Sequence, residues 1–192
     1  MVIGEVTPVN DGECSDIFFL DIGLYGCPGY GTIYILDTER PAVIETGTGG
    51  NFDLLMDALD SVGIGRDELE VIALTHVHLD HAGGAGLLAS KCRNATVYVH
   101  PLGASHLVEP AQLVAGTKRV IDELWEYHAQ PTPIPEERII TIEGDSKIDL
   151  GDRELSVVPV PGHAPHQVAF YDRENDALFT GDSAGMWLPA GE

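Results

Sequence analysis

A dense run of metal-binding side chains limits the folds open to this chain, because it follows directly on an apolar, strand-like segment. The apolar segment is 71–74, and the run that follows has the spacing H-x-H-x-D-H, with His76, His78, Asp80 and His81. Imidazole nitrogens and carboxylate oxygens suit zinc, iron or manganese in catalytic sites, and no thiolate cage is present. Buried without a metal, several of these groups would each cost ~1–3 kcal/mol unless they found partners. We therefore expect a metal site at this strand end.

The spacing of the run predicts how its side chains point. Alternate side chains of an extended backbone share a face, so His76, His78 and Asp80 are expected on one side. A turn at His81 then brings a fourth group round. The glycine-rich stretch 82–86 lets the backbone pass close to the site and enter a short helix, which we predict over 87–90.

Two later segments repeat the arrangement of an apolar strand followed by a candidate ligand. His163 lies in a tight turn between predicted strands at 155–160 and 167–171. His166 is predicted to be structural or solvent-facing, although it is close enough to His163 to flank the site. Asp182 ends another predicted strand and has glycines on either side. Each candidate ligand therefore lies just beyond the carboxyl end of a strand.

The order of these motifs resembles that of the metallo-β-lactamase-fold superfamily, in which H-x-H-x-D-H precedes a Gly-His turn and a Gly-Asp strand end. The resemblance covers nearly all of the chain, and it implies a site with two divalent metal ions. It assigns the first ion to His76, His78 and His163, and the second to Asp80, His81 and Asp182, with Asp182 bridging the two. It also implies that Glu45, at a strand end, supports the metal-bearing loop.

One departure from the family pattern lies at the end of the chain. The superfamily normally adds a late histidine to the second site, and no histidine follows Asp182 here. Either the chain lacks its carboxy-terminal part, or the second site is short of one ligand. The ending 187–192 has no domain-closing character, so we expect the former.

The remaining pattern alternates strands and helices. We predict strands at 17–20, 32–36, 42–45 and 96–99, a helix at 54–62 capped by Asn51, and strand-rich sequence from 138 to 180 with a hairpin turn at Gly151. Two sheets packed face to face with helices outside, the four-layer αββα sandwich, accommodate this order, and the family resemblance implies the same fold. Periodicity alone does not separate it from another α/β fold. Residues 1–192 are treated as a single domain.

Residues 100–135 interrupt the strand pattern with helical sequence that ends in prolines. We predict that this insertion covers the metal cleft. His106 is then a candidate to contact substrate or to support a ligand. Trp125 and Tyr127 are predicted to be packing residues rather than a substrate platform, and His128 to be structural or solvent-facing.

Charge and cysteine content narrow the partners and the compartment. The chain has 31 acidic and 10 basic residues, a net charge of -21 that would repel nucleic acid and anionic membranes. The acidic excess with scarce lysine fits either a high-salt cytoplasm or an ordinary acidic cytosolic protein. Three cysteines without zinc-finger spacing favour a reducing compartment. Without a secretory leader or an apolar stretch near the ~20 residues of a membrane span, we expect a cytoplasmic protein.

The resemblance implies a metal-dependent hydrolase acting on a small molecule. Two divalent ions, zinc in the first place with iron or manganese as alternatives, would activate a hydroxide for attack on an ester, thioester, lactone or phosphoester. Asp80 is the candidate catalytic residue, because it would both ligate and orient that hydroxide. Two alternatives remain open: an iron-dependent, persulfide dioxygenase-like oxidoreductase and a metal-binding protein without catalysis. The sequence does not determine the substrate or the oligomeric state.

Overall fold

Apolar strands build two facing β-sheets in the computed structural model, which describes residues 2–9 and 16–185. The larger sheet contains, in spatial order, β1 (Val6–Pro8), β2 (Ile17–Asp21), β3 (Thr32–Leu36), β4 (Ala42–Ile44), β5 (Val71–Ala73), β6 (Thr96–Val99) and β7 (Ile139–Thr141). The smaller sheet contains β8 (Lys147–Asp149), β9 (Glu154–Pro159), β10 (Val168–Asp172) and β11 (Ala177–Phe179), each paired with the next along the chain.

Strand direction changes within the larger sheet and determines where the helices lie. Strands β1 to β4 pair antiparallel, whereas β4 to β7 pair parallel and so need crossover connections. The helices supply those crossovers: α1 (Phe52–Ser61), then α2 (Leu79–Ala82) and α3 (Ala85–Lys91), then α4 (Pro101–Val108) and α5 (Ala111–Ile121). The carboxyl ends of β4, β5 and β6 consequently share one edge of the sheet.

Two apolar clusters hold the layers together. The first packs helix residues such as Leu55 and Leu59 against Ile72 in the larger sheet. The second lies between the sheets, where Ile44 and Phe170 are fully buried. Strand β5 is buried on both faces, which explains why its sequence is a continuous apolar run.

These layers confirm the predicted α/β sandwich class. Within the described residues the α-helices contribute side chains to the first cluster and none to the second, so they form the outer layer of the larger sheet. On the outer face of the smaller sheet, Val158 is 39% exposed and Leu178 is 54% exposed.

Most predicted elements occur with small shifts at their ends. Strands 32–36 and 96–99 are confirmed, and the hairpin turn at Gly151 lies between β8 and β9. The predicted helix at 87–90 is longer, because it forms α3 from 85 to 91. Asn51 occupies the N-cap position of α1, as predicted, but its side chain makes no cap bond there and instead accepts hydrogen bonds from the backbone and hydroxyl of Thr48. A 3-10 turn over Gly49–Asn51 leads into α1 and makes this bonding possible.

Residues 100–135 are helical, as predicted, and fill the crossover from β6 to β7. After α4 and α5 the chain forms a 3-10 segment over Asp122–Tyr127 and then the proline-rich stretch before β7. No helix in the described part of the chain is both long enough and apolar enough to cross a membrane.

Candidate metal centre

The three segments that carry candidate ligands meet at one end of the sandwich. The backbone N–H of Val168, at the start of β10, donates to the carbonyl oxygen of Thr75 at 2.9 Å, and the side chain of Gln167 donates to Thr180 at 3.2 Å. At Gly181 the backbone φ is +49°, and an added Cβ would lie 2.5 Å from Oγ1 of Thr75. Only glycine meets both demands, and the loop with Asp182 can therefore approach the β5 loop closely.

Three imidazole nitrogens converge in this space. Nδ1 of His78 lies 3.1 Å from Nε2 of His76 and 2.8 Å from Nε2 of His163. A shared proton can join only two ring nitrogens at a time, whereas one cation can accept a lone pair from all three. Zinc with Zn–N bonds of about 2.0–2.1 Å places tetrahedral nitrogens ~3.3 Å apart, close to the spacing seen here. The donor set therefore fits a divalent cation.

A buried hydrogen-bond chain behind His76 selects the tautomer that a metal ligand needs. The hydroxyl of Thr75 donates to Oε1 of Glu45, so its 3.0 Å contact with Nδ1 of His76 requires the ring to donate. The proton on Nδ1 leaves Nε2 of His76 with a free lone pair, aimed at the other two rings. Glu45, predicted to support the metal-bearing loop, is 4% exposed and has its backbone in the left-handed region at φ +68°.

The second predicted set lies beside the first, and Asp182 lies between them. Oδ1 of Asp182 is 3.1 Å from Nε2 of His81, and its Oδ2 is 3.3 Å from Nε2 of His163. One carboxylate thus contacts a candidate ligand from each set. The ligand atoms of Glu45, His76 and His81 also lie within 4.8 Å of one another, a grouping that the sequence did not suggest.

Asp80 is placed differently from the expectation of a continuous extended backbone. Helix α2 begins at Leu79, so Asp80 lies in its first turn and not in line with His76 and His78. Its Oδ2 is 3.7 Å from Nε2 of His81. Neighbouring side chains of an extended strand would point to opposite faces, whereas the helical turn brings those of Asp80 and His81 close together.

Burial and neighbouring charges shift the pKa values of these groups in different directions. Burial, together with the neighbouring imidazoles, lowers the pKa of His76 to about 2, and burial also lowers that of His78. Both rings are therefore neutral at neutral pH and able to ligate. A hydrogen bond from His81 holds the pKa of Asp182 at about 2. Burial acts to lower the pKa of His81, but the carboxylates of Glu45 and Asp182 outweigh it and raise that pKa well above its ordinary value.

Two further histidines lie near the centre, and His166 is structural and flanks the site, as predicted. His106 lies outside the ligand cluster and lines a narrow cavity with Leu79 and Leu107. His166 is half-buried, and its Nε2 accepts a hydrogen bond from the backbone N–H of Val77 at 3.2 Å. Burial lowers the pKa of His166 to about 4.

Sequence reasoning missed the threonines that follow the two strand ends. Thr75 links Glu45 to His76, and Thr46 donates from both its backbone and its hydroxyl to the carbonyl oxygen of His81, at 2.7 and 2.9 Å. Both threonines are buried. A hydroxyl residue directly before the first histidine of the motif, and another directly after Glu45, were the available signals.

Two facing sheets with histidines and carboxylates at their strand ends define a metal-binding class of α/β sandwich proteins. The family model of the metallo-beta-lactamase superfamily matches residues 26–187. The chain belongs to this superfamily.

Relatives support the assignment over most of the chain. A metallo-beta-lactamase fold-containing protein of Sulfurisphaera tokodaii is 28% identical over 183 residues, covering 91% of this chain and 65% of that protein. Acyl-coenzyme A thioesterase MBLAC2 of Gallus gallus is 31% identical over 195 residues, covering 91% of this chain and 67% of the relative. A probable metallo-hydrolase of Methanocaldococcus jannaschii is 27% identical over 173 residues, covering 85% of this chain and 76% of that protein.

Solved structures agree with the fold. A subclass B3 metallo-beta-lactamase of Bradyrhizobium japonicum superposes with a TM-score of 0.61 at 20% identity, covering 81% of this chain and 53% of that one. At this identity the likeness concerns the fold alone. The chain spans 65% of the length of the Sulfurisphaera relative and about half the length of this enzyme.

Proposed function

We propose that this chain carries the site of a metal-dependent hydrolase that acts on a small acyl ester or thioester. The observation that carries the proposal is the convergence of ring nitrogens from His76, His78 and His163, with the carboxylate of Asp182 reaching from His163 to His81. A structural protein would have little use for such a set, because burying it unpaired is costly. Membership of the superfamily supports the same proposal.

The roles of the residues follow from their positions. His76, His78 and His163 would hold one divalent ion. Asp80, His81 and Asp182 would hold a second, with Asp182 in contact with both sets. Zinc is the proposed metal, because imidazole and carboxylate ligands suit it, and iron and manganese are the alternatives. Such ions supply Lewis-acid chemistry: they lower the pKa of water and polarise the oxygen of the substrate.

The protein groups around the ions would orient the reactants. Asp80, at the start of α2 and partly exposed, would hold the attacking water by a hydrogen bond and accept its proton. The Thr75 and Glu45 chain keeps His76 in the ligating tautomer throughout. Orientation of the water and selection of the His76 tautomer thus both use side chains that the fold already holds in place.

A thioester is the first substrate class to test. The relative from Gallus gallus is named as an acyl-coenzyme A thioesterase and is similar to 91% of this chain. The net charge of -21 acts against a carrier with several phosphates unless salt screens the repulsion. A thioester of a neutral thiol would not be repelled.

Salt should therefore change the preference between carriers. Purified protein loaded with zinc is expected to hydrolyse the acetyl thioesters of both N-acetylcysteamine and coenzyme A. Between about 0.05 M and about 0.5 M KCl, KM for the coenzyme A thioester should fall about fivefold, because the Debye length drops from ~14 to ~4 Å. KM for the neutral thioester should change less than about twofold. Steady-state kinetics with a thiol reagent measures both.

Metal analysis distinguishes this proposal from its alternatives. Zinc in the purified protein, with thioester hydrolysis that chelation abolishes, supports the hydrolase. Iron with consumption of oxygen in the presence of a persulfide overturns it in favour of a dioxygenase. Stoichiometric metal without turnover of esters, thioesters, lactones or phosphoesters would indicate binding without catalysis.

We also propose that residues 100–135 form one wall of the cleft in a single domain. The backbone carbonyl oxygen of Tyr127, in this segment, lies 3.0 Å from Oγ1 of Thr48, and the ring of Tyr127 meets that of Tyr25 edge-on at 5.6 Å. The hydroxyl of Tyr25 lies 3.5 Å from Nε2 of His128. Burial, and then the charge of Asp80, raises the pKa of Tyr25, which supports a position close to the candidate catalytic carboxylate.

Aromatic rings and a nearby ammonium group lie together on this wall. Trp125 stacks on His128 with ring centroids 5.7 Å apart, and the ammonium group of Lys118 lies 4.4 Å from the centre of the Trp125 ring. Apolar acyl chains would pack on such a surface. The positive charge of Lys118 is one of only ten in the chain, so it would favour a negatively charged end of the substrate.

Removing the ring of Tyr127 should weaken substrate binding without slowing the chemical step. In Tyr127→Ala we expect KM for an octanoyl thioester to rise about tenfold, because ~50 Å² of lost apolar contact is worth about 1.3 kcal/mol. The value of kcat should stay within about twofold. Leu124→Ala is the matched control, since Leu124 lies in the same 3-10 segment and both side chains are 41% exposed. Equal KM values in the two variants would contradict a substrate-facing wall.

A further inference from the structure

His166 lies beside the candidate ligands without being one of them. Its Nε2 accepts the backbone N–H of Val77 at 3.2 Å. Val77 is the residue between His76 and His78, and the centroid of the His166 ring is 6.3 Å from that of each neighbouring ring. The imidazole thus holds the peptide that separates two ligands.

We propose that His166 is a positioning residue, which fixes the segment from His76 to His78 in its metal-binding conformation by accepting the amide hydrogen of Val77. The proposal rests on the proposed metal site and assigns His166 no contact with the ion. In an unsupported loop the Val77 amide could bond to water, and the peptide could rotate. Rotation of this peptide would turn both ring nitrogens away from each other.

The packing around His166 supports this role. Helix α4 approaches so closely at Gly103 that an added Cβ would lie 2.7 Å from Cγ1 of Val77 and 3.6 Å from Cδ2 of His166. The side chain of Val77 is 1% exposed. Its side chain is therefore held by the core and its amide by His166, which leaves the peptide no freedom to turn.

The same turn that carries His166 also carries a ligand. His163, three residues earlier, contacts His78 at 2.8 Å, and Val168, two residues later, donates its backbone N–H to Thr75 at 2.9 Å. One connection between β9 and β10 thus supplies a ligand and holds the other two ligands at backbone atoms on either side of His76. Docking of this turn would assemble the first metal set in a single step.

The tautomer of His166 follows from the bond. Because Nε2 accepts, the neutral ring carries its proton on Nδ1. An asparagine or glutamine side chain could replace this acceptor with its carbonyl oxygen, whereas alanine could not. This difference provides a conservative variant that separates the hydrogen bond from the packing of the ring.

The test compares wild type with His166→Ala and His166→Gln, in metal-free protein and with zinc. In metal-free His166→Ala, amide hydrogen exchange at Val77 should accelerate at least about tenfold. The Leu74 amide is the internal control, because it donates to Tyr98 at 3.0 Å within the sheet and exchanges through global unfolding. Its exchange rate should change less than that of Val77. Zinc affinity, measured by competition with a chelator, should fall about tenfold. His166→Gln should recover part of both losses. His100→Asn removes another imidazole at this edge but keeps a capping side chain, and it should behave as wild type.

Each outcome decides the matter. Unchanged Val77 exchange in His166→Ala overturns the proposal. The proposal also fails if His166→Gln restores slow Val77 exchange without restoring zinc affinity, or restores zinc affinity without slow exchange. Should His166→Ala fail to fold, His166→Gln alone still tests the bond, through the same two measurements. If the wild-type protein binds no zinc, the proposed metal site itself is contradicted. If zinc binds but Val77 exchange is unaltered in His166→Ala, only the role of His166 is contradicted.

Discussion

Under the proposed function, replacing His78 with alanine is expected to reduce thioester hydrolysis at least about a thousandfold and to release the metal from the first site. Nδ1 of His78 is the atom that the other two nitrogens share, at 3.1 Å from His76 and 2.8 Å from His163. Loss of this ligand removes several kcal/mol of transition-state stabilisation, and about 4 kcal/mol corresponds to a thousandfold change in rate. Metal content by elemental analysis and kcat/KM on the same preparation measure the two effects together.

Two companion variants make the result specific. Asp182→Ala should lose turnover to a similar degree, because Asp182 is within 3.1 Å of His81 and 3.3 Å of His163 and so supports both sets. His100→Asn should keep both metal and activity. Full activity retained in both His78→Ala and Asp182→Ala would mean that the site is wrongly assigned.

Replacing Arg153 with methionine will destabilise the fold by about 3–5 kcal/mol. The guanidinium group of Arg153 is 5% exposed and lies 2.8 Å from the fully buried carboxylate of Asp172, in ion-pair rather than hydrogen-bond geometry. It also pairs with Asp16. Since Asp172 ends β10 and Asp16 precedes β2, one side chain ties the two sheets together. Methionine would leave a buried carboxylate without its counter-charge, and urea unfolding measures the cost.

An exposed ion pair provides the matched control. Arg40 is 31% exposed, 2.8 Å from Glu70 and 3.2 Å from Asp149, so Arg40→Met should cost only ~0–1 kcal/mol because solvent screens the pair. A loss below about 1 kcal/mol in Arg153→Met would show that the buried ion pair contributes no more than the exposed one.

Local pattern was enough to predict much of the fold. Segments 32–36 and 96–99 are rich in β-branched and aromatic residues, so both were predicted as strands with the correct ends. Sheet order was less accessible. It depends on the parallel pairing of β4 to β7, and parallel neighbours are joined by long crossovers whose pairing no local spacing encodes.

The candidate site divides in the same way. The family resemblance implied that His76, His78 and His163 form one ligand set, and the structure brings their ring nitrogens together. The position of Asp80 was predicted wrongly, because the extended backbone ends at His78 and α2 begins at Leu79, one residue before Asp80. Helix formation over a four-residue segment is decided by packing against the core and not by the propensity of so short a piece.

By itself, the sequence determined which chemical groups are available and near which strand ends they lie, because that information resides in residue type and in spacing over a few positions. Only the tertiary structure decided which atoms meet. The bond between Thr75 and Glu45 spans 30 positions, and that between Val77 and His166 spans 89. The first contact depends on the pairing of β4 with β5, and the second on how the two sheets pack across the apolar cluster between them. Neither can be read from a local segment.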